Sequence, residues 1–366
     1  MYNGRMKAQL AVLFVVSACH AGADTTGADA ALAADAPRTY PFGPFTINPS
    51  EEITSDCVQI TLHNDTTLFV NQVELNTGPG FHHSNWFFVP ASDTSTGVIG
   101  PFDGPDGTFT CADRGFDQVV AGLKGGVIFA QSTQSMHDIQ SFPAGAVVQV
   151  PPHSKLVAQI HLLNASDGPL MLSPSITLTP ILESNVTIKL SGVSFEDHAL
   201  GLPPNHQSKF SVDCDLQPEW STLLANGSVT APTPDFKLYY ALAHYHVLGT
   251  GMNIDALAAD DTTSETVFAT TSQVGDALGG VIDPPISMTG YSRLRFSCDY
   301  YNNTAATVGW GNGGQEMCIF LAFSDSAYNW AGGALDADPP GPVTMDGDVM
   351  TYSHSCQVFA VEQSTH

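Results

Sequence analysis

Short extended segments, separated by turn-forming residues, constrain the fold of this chain more than any other feature. Segments such as KLVAQIHLL at 155–163 and MCIFLAF at 317–323 mix β-branched, aromatic and alternating apolar residues. Proline and glycine turns lie between such segments, for example Pro151-Pro152. Helical periodicity is scarce, and the chain contains 33 glycines and 24 prolines. The pattern therefore predicts an all-β protein of sandwiches or jelly rolls.

The length of the chain indicates two domains. At 366 residues it exceeds what a single hydrophobic core usually supports. One extended segment ends near residues 180–183, and another, VTIKLSG, begins at Val186. We therefore predict domains at 40–182 and 183–366.

The N-terminus has the pattern of an export signal. Arg5 and Lys7 precede an apolar run at 8–16 that is too short to span a bilayer. Small residues and a cysteine follow the run, which resembles a bacterial lipoprotein signal. Residues 1–19 are then the signal, and Cys19 carries the lipid.

The alternative is an ordinary secretory peptide cleaved near Ala21 or Ala23. In either case we expect an exported protein, either a bacterial cell-envelope lipoprotein or a secreted one. Residues 20–39 are rich in Ala, Asp, Thr and Gly without periodicity, and we predict a disordered linker there.

The charge of the chain limits its partners. It has 11 Lys and Arg against 36 Asp and Glu, which gives a formal net charge of -25. Such a charge repels phosphate backbones and anionic lipid surfaces, so we expect no nucleic acid partner. We expect membrane contact only through a lipid at Cys19, and the sequence indicates no obligate protein partner.

Beyond Cys19 the chain has an even number of cysteines, which suits disulfides in an oxidising compartment. They are Cys57, Cys111, Cys214, Cys298, Cys318 and Cys356. Since two of them lie before residue 180, the predicted domain division pairs Cys57 with Cys111. The pattern by itself leaves the pairing of the others open.

Two histidine pairs have the spacing of metal ligands. His244 and His246 lie in the apolar segment YYALAHYHVLG, where residues two apart project from one face and can converge on one ion. Hydrogen-bonded core histidines are the alternative. His82 and His83 are adjacent, so joint ligation requires irregular backbone, which the preceding Gly-Pro-Gly at 78–80 can supply.

Three further residues complete the candidate set. His161 lies in an extended segment on the same face as Gln159, whose amide is a candidate partner for that imidazole. Met317 begins a segment beside Cys318 and is the most informative of the three. A thioether added to two imidazoles favours Cu(I), whereas zinc would normally recruit a carboxylate or thiolate.

The ordered motifs HH, QxH, HxH and EMC resemble those of the copper type II, ascorbate-dependent monooxygenases. This is the family of peptidylglycine alpha-hydroxylating monooxygenase and dopamine beta-monooxygenase, and the resemblance covers roughly residues 45–360. It implies two tandem jelly-roll β-sandwich domains with an interdomain copper cleft. By motif, His82, His83 and His161 would hold one copper, and His244, His246 and Met317 the catalytic one.

The resemblance also bears on Gln159 and on the cysteines. Gln159 matches a family glutamine near the all-histidine copper. A family disulfide encloses the HH pair, as Cys57 with Cys111 would, and another joins the cysteine after the ligand methionine to an upstream one, as Cys318 with Cys298 would. That leaves Cys214 and Cys356 to pair in the second domain.

Three positions depart from the peptide-amidating branch of the family. An arginine that grips the substrate carboxylate is replaced by Leu242, and residues that hold a peptide terminus are replaced by Ile319 and Leu321. We therefore expect a small organic substrate rather than a glycine-extended peptide.

The resemblance implies a copper-dependent monooxygenase that hydroxylates an sp3 C-H bond with dioxygen and a reductant such as ascorbate. One alternative is an exported protein that binds or relays copper without catalysis, and another is a metal-free binding sandwich. Six further histidines lack partners at ligand spacing, so we predict that they are structural or exposed. They are His63, His137, His153, His198, His206 and His354.

Overall fold

A computed structural model describes residues 33–89, 104–131, 135–271, 279–311, 313–335 and 343–363. The predicted signal at 1–19, its Cys19 and most of the predicted linker lie outside these residues. We call residues 33–182 the first half of the chain and residues 183–363 the second half. Ordered structure begins before residue 40, because Arg38 and Thr39 pair with Leu178 and Thr177.

Strands dominate the first half, which confirms the all-β prediction. Its one α-helix in the described residues is α1 (Gln118–Lys124). The strands are β1 (Arg38–Pro41), β2 (Phe45–Ile47), β3 (Glu52–Ile53), β4 (Asp56–Thr61), β5 (Leu68–Asn76), β6 (Phe81–Val89), β7 (Gly107–Thr110), β8 (Val127–Ala130), β9 (His137–Ser141), β10 (Ala146–Val150), β11 (Lys155–Leu163), β12 (Leu170–Leu172) and β13 (Ser175–Pro180).

The second half has the same character, with the helix α2 (Gln217–Ala225). Its strands are β14 (Ile188–Asp197), β15 (Gly201–Leu202), β16 (His206–Asp215), β17 (Lys237–His244), β18 (Gly249–Leu257), β19 (Ser264–Thr270), β20 (Gly279–Ser287), β21 (Arg293–Asn302), β22 (Val308–Gly309), β23 (Ile319–Ser324), β24 (Tyr328–Ala334), β25 (Val343–Asp346), β26 (Val349–Ser355) and β27 (Gln357–Glu362).

One large sheet passes through both halves. Its order is β1-β13-β5-β10-β14-β23-β17-β20, and the halves join where β10 and β14 pair in parallel. A second sheet, β7-β4-β11-β6-β8, encloses a core with it in the first half, and a third, β19-β18-β21-β16-β26-β25, does so in the second half. Residues 34–366 form one compact unit, so a division at 182 and 183 into separate domains stays a prediction.

Strands β17 and β23 contribute to both cores. Tyr240, Leu242 and Leu321 pack in the core of the first half, whereas Ala241 and Phe320 pack in that of the second. Because successive strand residues face opposite sides, burial of both faces requires a continuous apolar run. This explains the sequence IFLAFS of β23, in which every residue is buried.

The two halves end one strand in the same way. After β11, the Asn164 side chain donates to the carbonyls of Ile47 and Gly168, which ties the strand to β2. After β21, the Asn302 side chain donates to the carbonyls of Leu202 and Ala306, which ties that strand to β15. The halves therefore share a local design although their sequences differ.

Three disulfides confirm the predicted pairing. They are Cys57–Cys111, Cys214–Cys356 and Cys298–Cys318. Disulfides form and persist in oxidising compartments, so they support an exported protein. Within the described ranges, no helix is long and apolar enough to cross a membrane.

Candidate metal centre

His82, His83 and His161 meet where β6 pairs with β11. His161 lies opposite His83 and Leu162 opposite Phe81, so His82 is an extra residue in β6. Such a β-bulge re-aims side chains beside a strand pair. Both neighbouring imidazoles therefore face His161, and the ring centroid of His161 lies 4.4 Å from that of His82 and 4.9 Å from that of His83.

The donor atoms of this group are the Nδ1 nitrogens. His161 Nε2 lies 2.8 Å from Glu52 Oε1, and its Nδ1 is buried with no hydrogen bond in the described part of the chain. The Nδ1 atoms of His82 and His83 lie 3.1 Å apart. A carboxylate on one ring nitrogen that leaves the other nitrogen available is the usual arrangement of a metal-binding histidine.

His244 and His246 lie at the end of β17 and in the turn that follows it. His246 Nδ1 donates to the carbonyl of Gln315 over 2.8 Å, which leaves Nε2 as its donor atom toward an ion. That Nε2 and both ring nitrogens of His244 are buried without a hydrogen-bond partner of normal geometry among the described residues. A buried polar atom without a partner costs free energy, so its presence here favours a bound ion.

The five imidazoles form one contiguous cluster. Donor atoms within 4.8 Å of one another define two groups, His82 with His83 and His161, and His83 with His244 and His246. His83 thus belongs to both, and its ring centroid is 5.1 Å from that of His244. The two groups thus adjoin in this structure, where β17 and β23 pack directly into the core of the first half.

A cavity of about 220 Å³ adjoins the cluster and is lined from both halves. His83, His161 and Gln159 face it from the first half, and Met317 faces it from the second. Met317 is partly buried, and its carbonyl accepts a hydrogen bond from the hydroxyl of Tyr300. The predicted methionine ligand therefore lies on the wall beside the imidazoles.

Burial keeps the imidazoles neutral. Burial, with nearby His161 and His246, lowers the pKa of His82 to about 4, and burial, with nearby His246 and His82, lowers the pKa of His244 to about 3. The pKa of His83 falls well below its usual value for the same reasons. Since an imidazole ligates metal only when neutral, these shifts keep the lone pairs available at neutral pH.

The remaining two imidazoles are also shifted downward, although partners oppose the shift. Burial lowers the pKa of His161, and the hydrogen bond that its Nε2 donates to Glu52 works against this shift. Burial lowers the pKa of His246, and the hydrogen bond to the carbonyl of Gln315 works against this shift. Each of these two rings is oriented by its hydrogen-bond partner.

Gln159 is close to the site, but it does not contact His161 as the sequence suggested. Its Nε2 donates to the carbonyl of Thr54, and its Oε1 accepts from Gln118 over 2.7 Å. The carboxylate of Glu52 takes the position beside His161 instead, because β3 pairs with the end of β11. Nothing in the sequence indicates this role for Glu52, which lies 109 residues away.

Glu316 is a second functional residue that sequence reasoning underestimated. It is fully buried and accepts the backbone N-H groups of His246 and Leu248 over 2.8 and 2.7 Å. Burial raises its pKa to about 7. The carboxylate therefore fastens the turn that carries His246 to the segment that carries Met317.

Two histidines that were predicted to be structural or exposed have defined surroundings. His354 is buried, and its Nδ1 lies 3.0 Å from Asp197, which agrees with a structural role. His198 contacts Glu196 over 2.7 Å and stacks on Trp310 at 4.2 Å. Since His198 and Glu196 also line the cavity, they belong to the site.

Comparison with known proteins gives only weak similarity to solved structures. No protein-family model and no curated protein matches the chain. Among solved structures it is similar to the major capsid protein P2 from bacteriophage PM2, at 10% identity and a TM-score of 0.29 over 79% of this chain and 97% of that one. It is also similar to PNGase F, a glycosylasparaginase from Flavobacterium meningosepticum, at 10% identity and a TM-score of 0.34 over 80% and 96%. These similarities carry no argument about metal binding or catalysis.

Proposed function

We propose that the protein is a copper-dependent monooxygenase that hydroxylates an sp3 C-H bond of a small organic substrate. The observation that carries the proposal is the cluster of five neutral imidazoles, four of whose ring nitrogens are buried without a hydrogen bond of normal geometry in the described ranges. The thioether of Met317 on the adjoining wall adds a soft donor. Imidazole with thioether suits a metal that cycles between Cu(I) and Cu(II).

His82, His83 and His161 would hold one copper through Nδ1 atoms. His244 and His246 would hold the other, with Met317 as the third ligand. Copper supplies one-electron redox chemistry and the activation of dioxygen when it is bound. The overall reaction places one oxygen atom in the C-H bond and reduces the other to water, with two electrons and two protons from a reductant such as ascorbate.

The residues of the chain orient the ligands and shape the reaction space. Glu52 and the carbonyl of Gln315 fix the imidazole rings of His161 and His246, respectively. Glu316 holds the turn after β17 in place. The cavity of about 220 Å³ gives room for a small substrate beside the cluster.

The contiguity of the two groups supports a second candidate, an exported protein that binds or relays copper without turnover. His83 reaches both groups, so an ion could pass from one set of imidazoles to the other with His83 as a common ligand. The same donors serve this role, because neither Cu(I) binding nor exchange requires a substrate.

Metal analysis and oxygen uptake separate the candidates. The protein is purified after export to a bacterial periplasm, loaded with copper, and supplied with ascorbate and a panel of neutral organic compounds. We expect two coppers per chain and one hydroxylated product per oxygen consumed. Two coppers without substrate-dependent oxygen uptake would favour the relay, and no copper would favour a metal-free binding sandwich.

The export route is part of the proposal. Three disulfides support an oxidising compartment, and a lipid at Cys19 would retain the protein at the bacterial cell envelope. Mass spectrometry of the mature protein tests this, because a lipoprotein begins at a diacylated Cys19 and Cys19→Ala would release it. An unmodified N-terminus near residue 22 or 24 would indicate a secreted protein.

A further inference from the structure

A narrow apolar slot continues from the cavity beside the imidazoles. The two spaces share the lining residues Asn85, Gln118, Val119, Glu196 and Ile319, so they adjoin. Phe87, Val127, Leu321 and Trp330 line the slot further in. Its volume is about 30 Å³, and a water needs about 10–15 Å³ by this measure, so the slot admits roughly two waters or a small apolar group.

Two glycines leave the slot open, and neither is required by the backbone. Gly122 in α1 and Gly192 in β14 both have ordinary rather than left-handed φ. A Cβ at Gly122 would lie 3.6 Å from Phe87 and Val127, and one at Gly192 would lie 3.7 Å from Val127, which are ordinary contacts. Glycine within a helix or strand is less favourable than alanine. Glycine at these two positions therefore lowers local stability and leaves the slot open.

Amide groups form the polar edge of the slot. Asn85 Nδ2 donates to Gln118 Oε1 over 3.0 Å, and Gln118 Nε2 donates to Gln159 Oε1. The last amide, Gln159, is fixed on the carbonyl of Thr54. This relay holds neutral donors and acceptors in place at the junction of the slot and the larger cavity.

Charge in the two linings argues against a charged ligand. Neither lining includes a lysine or arginine among the described residues, so a carboxylate or phosphate would have no counter-charge. The two acidic residues of the linings are already engaged, Glu196 with His198 over 2.7 Å and Asp117 with the backbone N-H of Val120 over 2.9 Å. A buried charge without a partner is costly, whereas amides and apolar walls accept a neutral molecule.

We propose that the slot binds the apolar end of a neutral substrate whose hydroxyl or carbonyl group binds the Asn85–Gln118 amides. The slot then sets how large the apolar end can be, and Gly122 and Gly192 are the residues that determine this size. The rest of the substrate lies in the cavity beside the imidazoles. This inference rests on the proposed function, because the bound molecule is taken to be the substrate of the proposed enzyme. The residues that form the binding site are defined without a metal.

Ligand binding to the metal-free full-length protein tests the slot directly. Propan-1-ol, propylammonium and propanoate serve as probes of equal length whose apolar end is short enough for a slot of about 30 Å³, and saturation-transfer NMR measures their dissociation constants. We expect propan-1-ol to bind at least tenfold more tightly than either ion. We expect Gly122→Ala and Gly192→Ala to weaken propan-1-ol at least tenfold, because one added methyl fills much of the slot.

Gly168→Ala is the matched control, since a Cβ there meets nothing within 4 Å and the residue lies outside both linings. Circular dichroism confirms that each variant folds. The proposed binding slot would be overturned by equal binding of propan-1-ol to Gly122→Ala and the parent, by equal binding of the three probes, or by no binding to the parent. Copper content and oxygen uptake are measured separately, so a protein that takes no copper but shows the expected probe binding refutes the monooxygenase and keeps the slot.

Discussion

In the first half of the chain the imidazole of His161 is oriented by a side chain, whereas in the second half the imidazole of His246 is oriented by the main chain. Glu52 is a side chain that is 39% exposed, whereas the carbonyl of Gln315 belongs to the main chain next to Glu316, whose buried carboxylate holds the turn that carries His246. In both halves an asparagine side chain, Asn164 or Asn302, ties the end of one strand to another strand. The halves therefore differ in how a histidine ligand is oriented and not in this feature of the fold.

Because of this difference, loss of the orienting group should lower copper affinity alone in the first half, but copper affinity and fold stability together in the second half. In the first half the orienting group can be removed without loss of backbone hydrogen bonds. In the second half the orienting carboxylate also satisfies two backbone N-H groups, so the site and the fold depend on the same residue. His83 joins the two halves, because it belongs to both groups of donors.

The largest effect is expected for His83→Ala. His83 is a proposed ligand of the first copper, and its ring also borders His244 and His246, so its loss should weaken copper at both groups and at the first by more than the ~10–100-fold typical of outer partners. His82→Ala, the neighbour in the bulge, should affect only the first group. Copper per chain after dialysis against a chelator measures both. If His83→Ala releases only one copper, the groups do not share this ligand.

The next effect concerns turnover. His244→Ala should abolish substrate-dependent oxygen uptake, because the proposed catalytic copper loses a ligand on the strand β17. His161→Ala should reduce uptake by limiting delivery of the second electron, while the second group keeps its copper. Single-turnover product yield and copper content are measured together. A His244→Ala variant that hydroxylates at the parental rate would leave the copper relay as the better proposal.

Residues close in sequence were predicted more successfully than residues brought together by the fold. The Gly-Pro-Gly turn indicated irregular backbone near His82 and His83, and the structure has a bulge at His82. The alternating apolar segments indicated strands such as β11 and β23, and the disulfide pairs agree with the resemblance. The turn and the strands depend on local pattern, whereas the full disulfide pairing was implied by the resemblance.

Three features of the site could not be predicted, because each depends on distant pairing. Glu52 reaches His161 only through the two-residue strand β3. The rings of His83 and His244 come close because β17 and β23 are buried on both faces. In the sequence, the apolar residues of these strands look like those of any other buried strand. His198 joins the cavity wall because Trp310 stacks on it from a separate loop.

Glu52→Ala tests the first half of the chain, in which a side chain orients the histidine. Loss of the carboxylate should lower copper affinity at the first group by about 10–100-fold, because the ring of His161 is no longer oriented. Glu52→Gln, which keeps one acceptor oxygen, should lose less. The melting temperature of the metal-free protein should change little, because Glu52 is 39% exposed and water can replace its carboxylate beside the ring of His161. Competition with a copper chelator measures the affinity, and Glu51→Ala is the neighbouring control.

Glu316→Gln tests the second half of the chain, in which the main chain orients the histidine. The amide can accept at one position only, so one of two buried N-H groups loses its partner at a cost of about 1–3 kcal/mol. Urea unfolding of the metal-free protein should reveal this loss, in contrast to Glu52→Ala. If Glu316→Gln leaves the free energy of unfolding unchanged, the carboxylate does not support the turn after β17.

The smallest effect is expected for Met317→Ile, which keeps an apolar side chain of similar size but removes the thioether. Because sulfur favours the softer Cu(I), the second group should lose several-fold in Cu(I) affinity and little in Cu(II) affinity, while the first group is unchanged. Competition with a Cu(I) chelator under argon measures the change. Met171→Ile is the control, since Met171 is 80% exposed and outside the cavity. Equal loss of both coppers would mean that the two groups do not bind independently, and an unchanged Cu(I) affinity would remove Met317 from the ligands.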